Sequence, residues 1–143
     1  MDFSRDRSPS TSSRDITWEE VGCWCDRIAK HVDDNLLDIR VVAGVRRGGV
    51  IPGTIIAYRL GKQFKEVEDP YDLTDFMPSR VLLIDDVVDT GLTFSRFKIG
   101  LHEKFYTAAL VGKPWVGRLT GDVIQPDFIA EWLTEWAVFP WER

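Results

Sequence analysis

The stretch RVLLIDDVVDTGLTF, residues 80–94, gathers three acids in five positions: Asp85 and Asp86 directly after four apolar residues, and Asp89 just beyond. Adjacent carboxylates supply hard oxygen ligands, suited to a magnesium ion or to ribose hydroxyls. The tail Thr90-Gly91-Leu92-Thr93 leads straight into a helical pattern. A helix N-terminus presents unpaired amides and the positive end of the helix dipole, and two threonine hydroxyls beside it complete a phosphate cradle. A second cluster, Arg46-Arg47-Gly48-Gly49, joins guanidinium groups to glycines that let backbone amides approach an anion. By itself an Arg-Arg pair reads as a solvated patch, but with these glycines and the acidic run it fits a phosphate or pyrophosphate. Together the clusters describe a site for a phosphorylated, pyrophosphate-bearing sugar bound with magnesium. A double acid at a strand end also occurs in P-loop nucleotidases, yet the chain has no GxxxxGK[ST] segment.

These groups meet only if the elements before them run side by side. Thr17-Trp18-Glu19-Glu20 has the form of a capping box, and Val21, Cys25, Ile28, Ala29 and Val32 follow at helical spacing, predicting a helix to about residue 34. Residues 39–45 form an almost continuous apolar run, suited to a strand buried on both faces, that ends at the arginine pair. Residues 51–60 read as a helix with Pro52 in its first turn and Gly61 as its stop, and residues 62–67 as a strand. After a polar loop, 68–79, come a strand at 81–84, an acidic loop, a helix from 92 to about 104 and a strand from 106 to 111. Alternating strands and helices predict an α/β fold, a central mostly parallel sheet flanked by helices. In such a sheet the loops at the carboxyl ends of the strands share one edge, and ligands bind there.

The 143 residues suffice for one domain. The net charge of −5 disfavours a nucleic-acid or anionic-membrane surface, so anion binding must be local. No apolar run approaches the roughly 20 residues of a membrane span, and the first residues lack an apolar signal core, so a cytoplasmic protein is expected. Residues 1–15, rich in Ser, Arg and Asp, are expected to form a flexible tail preceding a domain over 16–143. Cys23 and Cys25, two apart on a helix, point different ways and are expected to be reduced packing residues.

The nine-residue core DDVVDTGLT resembles the ribose-phosphate signature of the type I phosphoribosyltransferases, and VVAGVRRGGVIPGTIIAYRLG resembles their pyrophosphate loop and following helix. The nearest pattern is the xanthine-guanine branch, which ITWEEVGCWCDRIAKHV resembles as an opening helix, VGKPWVG as a base-contacting Lys-Pro strand end, and EWAVFPWER as a C-terminal segment. The likeness spans roughly residues 16–143, with gaps. It departs at Arg46, where relatives usually carry Ser or Lys, and at 68–79, far shorter than the family's long lid.

The resemblance implies a type I phosphoribosyltransferase fold with a shortened lid and a small hood built from the C-terminal segment. It implies magnesium as cofactor, phosphoribosyl pyrophosphate (PRPP) and a purine base as ligands, and a homo-oligomer, dimer or tetramer. PRPP would be held by Arg46, Arg47, Gly48, Asp85, Asp86, Asp89, Thr90, Gly91, Leu92 and Thr93, with Asp85 and Asp86 also serving the metal and Asp89 acting as general base. The base would be held by Lys113, Trp136, Ala137 and Glu142. In the related enzymes the matching lysine donates to the 6-oxo group of a purine and the matching tryptophan stacks on its ring, which favours hypoxanthine, guanine or xanthine over adenine or a pyrimidine. The alternative is a non-catalytic family member that only senses PRPP.

Overall fold

The computed structural model describes residues 12–118 and 125–143. Five strands form one sheet in the order β3-β2-β4-β5-β6, every neighbouring pair parallel. These are β2 (Val41–Val45), β3 (Gln63–Val67), β4 (Val81–Val88), β5 (Tyr106–Gly112) and β6 (Phe128–Trp132). The helices are α1 (Trp18–Asp34), α2 (Val50–Leu60) and α3 (Leu92–Leu101).

Successive side chains of a strand point to opposite faces, and the core divides accordingly. Val42, Leu82, Ile84, Ala108 and Leu110 pack with Val21, Trp24, Ile28 and Val32 of α1 and with Ile56 of α2. Val41, Ala43, Val81, Leu83 and Ala109 pack on the other face with Phe94 and Phe97 of α3. Burial on both faces explains why β2 and the first half of β4 read as unbroken apolar runs. Phe94 and Phe97 are each about 1% exposed or less, and burying each supplies on the order of 2–3 kcal/mol that fixes α3 beneath the sheet edge.

The expected cap of α1 is present in full. The Thr17 hydroxyl accepts from the Glu20 amide at 3.0 Å, while the Glu20 carboxylate accepts from the Thr17 amide at 3.1 Å. Gly61, with φ 66°, ends α2 as expected. Three boundaries differ from the sequence reading. Strand β4 does not stop at Ile84 but continues through Asp85 and Asp86 to Val88, held by pairing with β5 at Asp85↔Ala109 and Val87↔Val111, so the two acids stand in a strand rather than a loop. Helix α3 ends at Leu101, three residues early, because His102 takes φ 60° and the chain turns back to bury Phe105. Strand β6 has no counterpart in the sequence reading at all.

The tail boundary also moves. Residues 1–11 lie outside the described residues, but Ser13–Asp15 forms strand β1, paired in parallel with β7 (Trp136–Val138). This two-stranded ribbon joins the two ends of the chain. Trp136 N donates to Ser12 O and Ile16 N to Val138 O, both at 2.8 Å, and Trp141 packs between Trp18 and Phe139. It is the small hood expected of the C-terminal segment, with the N-terminus as its second strand. Among the described residues no helix is long and apolar enough to cross a membrane. Both cysteines are free, Cys23 exposed and Cys25 buried.

Candidate active site

The carboxyl ends of the parallel strands bring the sequence clusters to one edge. At the junction of β4 and α3 lies a cleft of about 140 Å³ lined by Asp85 and residues 87–94. Gly91 adopts φ 77°, a conformation side-chain-bearing residues rarely hold, and so turns the chain from strand to helix within the signature. No side chain caps α3 in the usual way. The Leu92 amide donates to Thr90 Oγ1 at 3.3 Å, and residues 90–94, at the start of α3, line the cleft, where a helix terminus can meet an anion.

The two acids occupy a costly position. Asp85 is held well above the usual carboxylate range, by burial first and by the neighbouring Asp86 charge second. Asp86 is also raised, chiefly by burial, with Glu142 pushing the same way and hydrogen bonds from Asp85 and the Val87 amide opposing. Each carboxylate already accepts one local amide, Asp86 N on Asp85 Oδ1 and Val87 N on Asp86 Oδ1, both at 2.8 Å. Desolvated, mutually repelling carboxylates are relieved by a cation, so the donor set fits magnesium, which is usually held by one or two carboxylates with substrate phosphates and water completing its shell. Among the described residues no group of three or more His, Cys, Asp or Glu side chains could hold a metal by itself. A magnesium ion held by this pair would take its remaining ligands from substrate and water.

The arginine-glycine loop packs directly against these acids. The Arg46–Arg47 peptide is cis. A Cβ on Gly48 would come within 2.5 Å of Asp86 Oδ1 and nearer still to Cγ and Oδ2, so only glycine leaves that carboxylate its place. A Cβ on Gly49 would meet backbone instead, 2.7 Å from Val45 N and nearer still to the Ile84 carbonyl oxygen. Arg47 is exposed. Arg46 points elsewhere: its Nε pairs with Glu66 at 2.8 Å and its Nη1 with Glu68.

At the end of β5, Lys113 is 2% exposed rather than solvent-facing. Its ammonium donates to the Glu135 carbonyl and lies 5.4 Å from the ring centroid of Trp136, itself 41% exposed. The structure thus brings together the lysine and the tryptophan that the sequence placed 23 residues apart. Ala137 is buried in β7, where it pairs with Arg14, and Glu142 accepts from Phe139 N at 2.8 Å.

Asp89 is engaged by a residue the sequence reading missed. Trp115 Nε1 donates to Asp89 Oδ1 at 2.9 Å and to Asp89 O at 3.1 Å. The residues lie 26 positions apart, and no local pattern links them. The segment 68–79, expected to form only a shortened lid, is folded down. Asp72 accepts from the amides of Glu68 and Asp69, Leu73 is buried, and Arg96 of α3 donates to Glu68 O at 2.9 Å.

No protein-family profile matches the chain. Two proteins named xanthine-guanine phosphoribosyltransferase, from Desulfotalea psychrophila and Nitratidesulfovibrio vulgaris, are 29% and 26% identical to it over 89% of its length, covering 84% and 83% of theirs. Among solved structures, a purine phosphoribosyltransferase from Pyrococcus horikoshii superposes with a TM-score of 0.74 at 26% identity, over 93% of this chain and 95% of that one.

Proposed function

We propose that this chain, a type I phosphoribosyltransferase in its fold and similar to the purine enzymes in sequence, transfers the 5-phosphoribosyl group of PRPP to a 6-oxopurine. The observation that carries the substrate reading is the buried Lys113 beside Trp136, just past the end of β5, the strand that pairs with β4 beside the Asp85–Thr93 cleft. An ammonium has only donors. It matches the 6-oxo group of hypoxanthine, guanine or xanthine and opposes the 6-amino group of adenine.

In this reading N9 of the purine attacks the anomeric carbon, the bond to pyrophosphate breaks, and the N7 proton passes to the Asp89 carboxylate. The amides opening α3, with Thr90 and Thr93, grip the 5-phosphate and set the approach. Arg47 and the backbone around Gly48 and Gly49 stabilise the charge growing on the departing pyrophosphate, a contribution that is often the largest in such sites. Asp85 and Asp86 hold the ribose hydroxyls and the magnesium, which when bound neutralises charge on the pyrophosphate. The Arg46 guanidinium stays with Glu66 and Glu68 unless ligand binding releases it. A dimer or tetramer is part of the proposal.

The folded-down segment 68–79 favours a second reading, a PRPP-binding protein without turnover, because a shortened lid weakens water exclusion more than binding. Incubation with magnesium, PRPP and each base in turn separates the two. Nucleotide and pyrophosphate appearing with guanine, xanthine or hypoxanthine support transfer. Saturable PRPP binding with no product from any base supports the sensor.

A further inference from the structure

We infer that Trp115 is a positioning residue for the transfer: its indole N–H orients the Asp89 carboxylate and couples the turn that carries the base-binding lysine to the phosphate cradle. The inference rests on the proposed transferase reading. Three observations carry it. The indole N–H bridges the side-chain and main-chain oxygens of Asp89, at 2.9 and 3.1 Å, so it fixes both the rotamer of the acid and the backbone from which the Thr90–Thr93 cradle departs. The start of the turn holding Trp115 is tied to the sheet: Lys113 N donates to Val88 O at 3.1 Å, Val116 N donates to Lys113 O at 2.9 Å, and the Val116 side chain is fully buried. Trp115 is 44% exposed, and the polar edge of its ring is the part turned to Asp89.

The consequence is geometric. With Oδ1 occupied by the indole, Oδ2 of Asp89 is the oxygen left to accept a proton from a purine. A base acts only within hydrogen-bond reach of the proton it takes, so a carboxylate free to rotate spends less time competent. Because Lys113 stands two residues before Trp115 on the same turn, the group that recognises the purine and the group that orients the base move as one piece.

The experiment is a double-mutant cycle with W115F, D89N and the pair, assayed with magnesium, PRPP and guanine, together with W115H. Phenylalanine keeps a ring and removes the N–H. Imidazole Nε2 occupies the same position relative to Cγ as the indole nitrogen and can donate. The expected result is a fall in kcat of about tenfold or more for W115F with KM for PRPP changed less than about threefold. In the D89N background W115F should lower kcat by less than about twofold, and W115H should recover most of the loss. A merely structural role predicts multiplicative losses and no rescue by histidine, and either result overturns the inference. So does loss of the folded state in W115F, which a half-exposed ring serving Asp89 does not explain. A wild type that makes no nucleotide overturns the function as well, whereas an active wild type with independent mutational effects removes only Trp115.

Discussion

Two neighbouring glycines should respond to the same substitution in opposite ways. In Gly48→Ala the new methyl meets the end of one side chain, the Asp86 carboxylate, at 2.5 Å from Oδ1 and closer to its other atoms. An ordinary contact needs about 3.4 Å or more, so the carboxylate must retreat by about 1 Å. Rotation about two side-chain bonds allows that at modest cost to the fold. The cost falls on function, since a displacement of about 1 Å in a positioned group can remove about 10²-fold of rate, or about 2.7 kcal/mol of transition-state stabilisation. In Gly49→Ala the methyl meets Val45 N at 2.7 Å and the Ile84 carbonyl even sooner, backbone atoms of two central strands that cannot rotate away. Overpacking of that kind costs about 1–3 kcal/mol or more. Gly48→Ala should therefore melt within a few degrees of the wild type while kcat/KM with PRPP and guanine drops about a hundredfold. Gly49→Ala should melt several degrees lower or fail to accumulate as folded protein. Thermal melts and steady-state kinetics on the two variants suffice. If Gly48→Ala retains activity within a few-fold, Asp86 does not serve the reaction from this position, and if Gly49→Ala is as stable as the wild type, the packing of the loop against β2 and β4 is wrong.

Other consequences follow from the charges and thiols. Asp85→Asn with Asp86→Asn should abolish magnesium-dependent turnover, which chelation of magnesium should also abolish in the wild type, yet raise the melting temperature at pH 7 by roughly 3–5 °C, because two desolvated charges disappear while Oδ1 of each amide still accepts its local N–H. Both acids titrate above their ordinary range in the fold, so the folded chain holds these protons more tightly than the unfolded one and stability falls as pH rises through that raised range; melting curves between about pH 4 and 8 should show this slope in the wild type and a flatter one in the double variant. Lys113→Met should lower kcat/KM for oxopurines, and the wild type should reject adenine by about 10⁴-fold; efficient use of adenine would remove Lys113 from the site. Trp136→Ala should raise KM for every purine alike, since stacking does not read the 6-substituent. Cys25, buried and with its thiol pushed up to about 12, should resist a thiol reagent that labels the exposed Cys23 promptly, and two fast-reacting thiols per folded chain would contradict the packing of α1 against Pro52.

The centre of the sheet was legible because β2 and the first half of β4 are buried on both faces and the helices on one. Residues 41–45 and 81–84 carry that pattern in the chain itself, and the Thr17–Glu20 cap and the Gly61 stop announce their helix ends by residue type. Where the pattern failed, the missing information was non-local. Nothing within Asp85 and Asp86 marks them as strand, since acids are depleted in strands, and only the hydrogen bonds to β5 keep them extended. Strand β1 holds Ser13, Arg14 and Asp15, a composition suited to a tail, and becomes a strand because the C-terminal segment returns to pair with it. Strand β6 likewise rests on its register with β5 at Ala109↔Ile129.

The candidate site divides along the same line. A signature confined to nine consecutive residues can be recognised from types and spacing, because the strand-to-helix turn that builds it is local. Partners contributed by different strand ends cannot. Nothing in the order of residues says that Trp115 reaches Asp89. Nor does it say that Arg46, whose charge alone suited pyrophosphate, is claimed by Glu66 and Glu68 on the neighbouring strand and loop. The parallel register decides that pairing: Gly44 stands opposite Glu66, so the arginine two residues past it emerges beside acids two positions apart on the adjoining strand end. An exposed ion pair is worth only about 0–1 kcal/mol. In the proposed reading a pyrophosphate, bearing more charge than either carboxylate, would draw Arg46 away at little cost.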